Sequence, residues 1–111
     1  MIPGNYKIEA YRNDTLIKTF TITENSLAVD LSTAVVKIQV REKPDAPVVF
    51  EFTEGDGLTV GGAGNNVITM SKVVDLSMCG RYYYDLQATF TSGIVNTYLL
   101  GTFIVKKDIT L

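Results

Sequence analysis

The sequence predicts an all-β fold: one domain over residues 1–111, an antiparallel β-sandwich of about seven short strands. Three observations lead there. Successive runs alternate apolar and polar side chains at a period of two, which puts neighbouring side chains on opposite faces of a strand. Clusters of Asn, Asp, Gly, Pro and Ser separate those runs at short, regular intervals. No segment carries the apolar spacing of an amphipathic helix, and no internal repeat or linker interrupts the pattern.

Taken in order, Tyr6 to Arg12 alternates, with Tyr6, Ile8 and Ala10 on one parity and Lys7, Glu9 and Tyr11 on the other. Asn13-Asp14 supplies a turn, since both residues tolerate left-handed backbone and bond their own main chain. Thr15 to Thr23 sets Leu16, Lys18, Phe20 and Ile22 against Thr15, Ile17, Thr19 and Thr21, so these two runs are expected to pair as a hairpin. A strand from Thr33 to Glu42 follows the connection through Asp30-Leu31-Ser32, with Ala34, Val36, Ile38 and Val40 facing the core. Pro44 and Pro47 end it, because neither can donate to a ladder. Val48 to Thr53 is a short strand with Phe50 and Phe52 on one face.

The segment 54–66 holds five glycines and reads as a mobile surface loop, a possible contact surface, around one small strand at Leu58-Thr59-Val60. A phosphate-cradling loop would need a following helix and a lysine at fixed spacing, and another strand, Val67-Ile68-Thr69-Met70, follows instead. Ser71 to Met78 is expected to be a connector with room for a short helical turn. The strongest strand is the run from Cys79 to Phe90. Tyr82, Tyr84, Leu86, Ala88 and Phe90 share its inward parity, while Arg81, Tyr83, Asp85, Gln87 and Thr89 face outward. A turn at Ser92-Gly93 leads into the returning run to Lys107, with Gly101 expected at a bulge or a close backbone approach. Gly80 followed by Tyr82 at the start of the penultimate strand is the placing of a tyrosine corner, whose phenol bonds backbone a few residues upstream. That detail makes the expected sandwich immunoglobulin-like, without the cysteine–tryptophan–cysteine set of antibody domains.

Composition narrows the function. Ten basic and twelve acidic residues leave a net charge of −2, scattered along the chain, which disfavours nucleic acid. The single cysteine excludes an intrachain disulfide, and its position reads as that of a small buried hydrophobe. There is no histidine, which removes the usual general base, metal ligand and nucleophile partner. No catalytic residue, cofactor or metal site is therefore expected, and the protein is read as not an enzyme. Glu51, Glu54 and Asp56 come nearest to a calcium set and make a weak one. Asp85 reads as a surface or strand-edge carboxylate without a second acid at a legible spacing. Tyr82, Tyr83 and Tyr84 cannot form one stacking platform for sugars or bases, because adjacent strand residues alternate faces. No apolar run is long enough to cross a bilayer as a helix, and the first residues lack the pattern of a signal peptide, so cytoplasmic synthesis is expected.

Three stretches together resemble the small β-sandwich proteins of tailed-phage virions, nearest the immunoglobulin-like N-terminal domain of phage baseplate upper proteins. They are Asp30-Leu31-Ser32 with Val36 to Arg41, Gly80 to Gln87, and Gly101 to Val105 with Asp108-Ile109-Thr110. The chain departs from that family at its start, Asn5-Tyr6-Lys7-Ile8, and carries no linker-helix segment after the sandwich. The resemblance implies a non-enzymatic virion part, made in the host bacterial cytoplasm, that docks to other virion proteins or to repeated copies of itself. Tail or baseplate is the first placement and capsid decoration the second; a carbohydrate-binding module, and behind it an enzyme subunit or inhibitor, are the readings from other classes. The residues expected to carry docking are Arg81, Tyr83 and Gln87, together with Ile109 and Leu111 of an apolar C-terminal tail, while Gly80 and Tyr82 form the structural corner.

Overall fold

A computed structural model of the chain describes residues 4–24, 26–76 and 79–107. Among them every regular element is a strand. In chain order these are β1 (Gly4–Asn5), β2 (Ile8–Tyr11), β3 (Thr15–Thr21), β4 (Thr23–Glu24), β5 (Leu27–Ala28) and β6 (Val35–Arg41). They continue with β7 (Val48–Glu54), β8 (Gly57–Gly61), β9 (Val67–Val73), β10 (Gly80–Thr89) and β11 (Val95–Lys106).

Antiparallel pairing joins β8, β9 and β3 on one side, and β7, β6, β10 and β11 on the other. β1 and β2 lie one after the other along the far side of β11, both parallel to it. A short bridge, Thr53–Glu54 to Gly57–Leu58, carries the ladder round the corner from β7 to β8 and closes that side almost as a barrel would. The penultimate and last strands pair in the sheet that also holds β6 and β7, and β3 pairs with β9 opposite. This is the order of an immunoglobulin-like sandwich. β4 and β5 form a separate small hairpin.

The core follows the alternation. Val36, Ile38 and Val40 from β6, Tyr82, Tyr84, Leu86 and Ala88 from β10, and Phe103 and Val105 from β11 are buried against Ile68 and Met70 from β9. Phe50 and Phe52 meet edge to face at 5.2 Å beside the corner. Lys72 closes that corner from β9. Its ammonium sits 5.0 Å from the Phe50 ring centre, donates to the Glu51 carbonyl at 2.9 Å and pairs with Asp56 at 3.1 Å.

Several expectations are corrected. The turn at Asn13 exists, with φ of 68° at Asn13, but β2 and β3 do not pair across it. Arg12 N–H donates to Lys106 O while Asn13 N–H donates to Val74 O, so the turn hands the chain from one sheet to the other. A hairpin would have left Ile8 and Ala10 without β11 to pack beside; in place, both are buried. The connector after Met70 holds no helical turn among its described residues, because β9 continues to Val73 and Val74 N–H then bonds Asp14 O. Cys79 is exposed rather than buried, since it lies just before the strand begins.

The glycine-rich segment is also more tied down than a mobile loop. Its middle is β8, and its end is pinned where Ile22 N–H donates to Asn66 O, Asn66 Nδ2 donates to Ile22 O and Leu31 N–H donates to Asn65 O. At the expected corner, Gly80 has φ of +145°, a backbone that side chains resist, and Tyr82 is buried two residues on. The upstream backbone that a corner phenol would reach includes Ser77 and Met78, which lie outside the described residues. Gly101 makes the close approach and not the bulge. A Cβ there would collide with the Tyr6 carbonyl oxygen, while the bulge falls at Tyr98, between the pairs Leu86–Leu99 and Gln87–Thr97. Ile109 and Leu111 lie outside the described residues.

Candidate functional site

The outward side of β6, β10 and β11 is set by register. Arg41, Tyr83 and Thr102 form one row across the three strands, and Gln39, Asp85 and Leu100 form the next. Lys37, Gln87 and Thr97 follow, then Val35, Thr89 and Val95. Between the first two rows lies an open groove of about 550 Å³, whose walls include Arg41, Pro44, Tyr83, Asp85, Leu100 and Thr102. Gly101 also borders it, and the missing side chain of that residue lets the backbone at Tyr6 come close.

A chain of polar contacts runs along this face. Gln39 Nε2 donates to Glu51 Oε2 at 2.8 Å, and Arg41 Nη2 donates to Gln39 Oε1 at 2.9 Å. Arg41 Nη1 stands 3.9 Å from Asp85 Oδ2, a long contact for an ion pair. Among the described residues no group donates to Asp85 Oδ1, although that oxygen is shielded from solvent. An acceptor left in this state costs free energy until a donor reaches it. The apolar surroundings dominate the carboxyl's titration: burial pushes its pKa up, against the opposing pull of Arg41 and Lys37.

Beneath the groove, Tyr84 Oη donates to the Tyr6 carbonyl at 2.6 Å, and burial pushes this phenol's pKa up too. The Tyr6 ring in turn packs edge-on against Phe20 at 5.3 Å and receives the Lys18 ammonium at 4.9 Å. These contacts tie the segment between β1 and β2 to β10 on one side and to β3 on the other.

A raised acid pKa has a defined sign for stability. The folded state holds the Asp85 proton more firmly than the unfolded chain, so the contribution is present in acid and is lost as pH rises through the folded pKa. Asp85→Asn removes the titration. The melting-temperature difference, variant minus parent, is expected to become more positive from about pH 3 to about pH 7. Thermal melts across that range check it, and a flat or falling difference would show that Arg41 outweighs burial.

Of the residues read from the sequence as candidates, Arg81, Tyr83 and Gln87 all lie on the outward side of β10. The structure gathers only Tyr83 into the groove; Arg81 and Gln87 flank it one row away on either side. Asp85 is neither on a strand edge nor freely solvated, because β10 is flanked by β6 and β11 along its length. Arg41, Leu100 and Thr102 were not legible as site residues. No group of three or more metal-ligating side chains is brought together among the described residues.

Among solved structures, the chain is similar to CopC from Methylosinus trichosporium OB3b, with 12% identity over 95% of this chain and 88% of that one and a TM-score of 0.50. It is similar also to the PmoD soluble domain from Methylocystis sp. ATCC 49242 (Rockwell), at 13% identity over 88% and 77% of the two chains, TM-score 0.51. The fibronectin(III)-like modules of Clostridium thermocellum CbhA align at 17% identity over 96% and 92%, TM-score 0.47. At such identities the likeness concerns the fold alone. No family model and no curated protein matches the sequence.

Proposed function

We propose that this chain is a non-enzymatic structural part of a phage particle, working by protein–protein docking through the outward side of β6, β10 and β11. The observation that carries docking is Asp85: a shielded carboxylate oxygen without a donor, at the bottom of a groove walled by Tyr83, Pro44 and Leu100. A neighbouring protein's N–H or O–H meets that oxygen while its apolar groups cover Tyr83 and Leu100, the combination that makes a small interface selective. The particle itself enters through the three sequence stretches that resemble phage β-sandwich proteins. Tail or baseplate is the proposed place, with capsid decoration as the second.

A carbohydrate module is less well supported. Tyr83 is the one aromatic that the outward side of these three strands presents among the described residues, so sugar rings find no row to stack on.

Immunogold imaging of particles from the lysate of a strain carrying the gene tests the reading. Label is expected on tails or baseplates, and Tyr83→Ala combined with Asp85→Lys should reduce it about tenfold while the purified variant still folds. Label on heads would select the decoration reading. Particles that carry no label at all would remove both.

A further inference from the structure

We infer that the open edge of β3 is a self-pairing site, at which two copies of this chain join antiparallel across a two-fold axis to make one continuous sheet. The site lies on the sheet opposite the groove and does not depend on the phage reading.

The geometry follows from the β3–β9 ladder. Ile22 N–H donates to Asn66 O and Val74 N–H to Asp14 O, both in the register that pairs Leu16 with Lys72. Even-numbered residues of β3 therefore turn their backbone groups towards β9. Thr15, Ile17, Thr19 and Thr21 turn theirs the other way, where no described strand pairs with β3. All four are exposed, Ile17 to 67%.

An unpaired edge is a template for another strand, and proteins usually guard it with charge, proline or a bulge. The other edges here are guarded. Glu9 on β2 pairs with Lys106 at 2.8 Å and with Lys7 at 4.0 Å, which keeps that border charged. β7 has a register shift near Val48, with Pro47 just before it, and its Glu51 carbonyl is capped by the Lys72 ammonium. β3 has no proline and no register shift over its seven residues, and its one charge, Lys18, lies on the inner parity with its ammonium over the Tyr6 ring. The outward side behind it is equally unguarded: Thr15, Ile17, Thr19 and Thr21, then Val67, Thr69, Ser71 and Val73 on β9, then Thr59 on β8. None of those nine side chains is charged.

That is why the occupant is a second copy. Two such surfaces meet side by side without like-charge repulsion, and the strand is complementary to itself. With the axis at Thr19, Ile17 of each copy faces Thr21 of the other, and the three outward-pointing residues exchange about six backbone hydrogen bonds. Lys18 then faces Phe20 of the second copy, so the two ammonium groups stay apart. An axis at Lys18 would instead set two ammonium groups opposite each other.

Sedimentation velocity of the purified chain over a dilution series, with hydrogen exchange on the same samples, tests the proposal. A monomer–dimer equilibrium is expected, with the Ile17, Thr19 and Thr21 amides protected in step with dimer formation. Thr19→Pro removes the central donor, and Ile17→Lys places charge at the seam as a second variant that leaves the backbone intact. Each should weaken dimerisation by about tenfold or more. A chain that stays monomeric with those amides exchanging freely overturns the proposal, as does a dimer that Ile17→Lys leaves unchanged. Binding lost from the particle by groove variants, with dimerisation intact, would separate the two surfaces.

Discussion

Replacing Phe103 with alanine is expected to cost about 3–5 kcal/mol of folding stability. Phe103 is fully buried, lies edge-on to Tyr84 at 6.5 Å and belongs to the strand that borders both β10 and β2. Its loss removes the transfer energy of the ring and leaves a void between sheets that other strands hold apart, so little collapse can recover the difference. Since small domains are stable by only about 5–15 kcal/mol, a sizeable unfolded fraction should appear. Urea titration read by tyrosine fluorescence measures it. The paired control is Leu100→Ala, three positions back but on the outward side and 41% exposed, expected to stay within about 0.5 kcal/mol. Equal effects at the two positions would mean that β11 is not oriented as described.

Gly101→Ala should be nearly as damaging for a residue that gains one methyl group, about 1–3 kcal/mol. The atom it meets is the Tyr6 carbonyl oxygen, which has no rotamer to escape into. Tyr6 is held by its own N–H on the Leu100 carbonyl at 3.2 Å and by the Tyr84 phenol at 2.6 Å. Moving Tyr6 aside strands a phenol that is buried with its donor group unmet. A double-mutant cycle with Tyr84→Phe checks the mechanism: once the hydroxyl is absent, Gly101→Ala should cost measurably less. Additive losses would place the strain elsewhere.

The fold was legible because alternation survives in nearly every strand. Val36, Ile38 and Val40, or Tyr82, Tyr84, Leu86 and Ala88, announce both the strand and the face that it buries. What the pattern does not contain is partner choice. Asn13-Asp14 looks the same whether the strands beside it pair with each other or part company, and only the long-range bonds to Lys106 and Val74 decide. The groove was illegible for the same reason. Arg41 and Asp85 are far apart in sequence, and the diagonal between them exists only once β6 and β10 take their register. Asp85 looked like an ordinary outward carboxylate because alternation reports direction and not depth. Its shielding comes with the register that sets Gln39 and Leu100 beside it on the neighbouring strands.

The parallel pairing of β1 and β2 with β11 has a mechanical side. Pulling the chain forward of Gly4 and beyond Lys106 in opposite directions draws these neighbouring strands past each other lengthwise. The bonds between them are loaded in shear and must give way together, whereas a hairpin at the start of the chain would have unzipped one bond at a time. A domain tied this way transmits tension through its first and last strands before its core feels any of it.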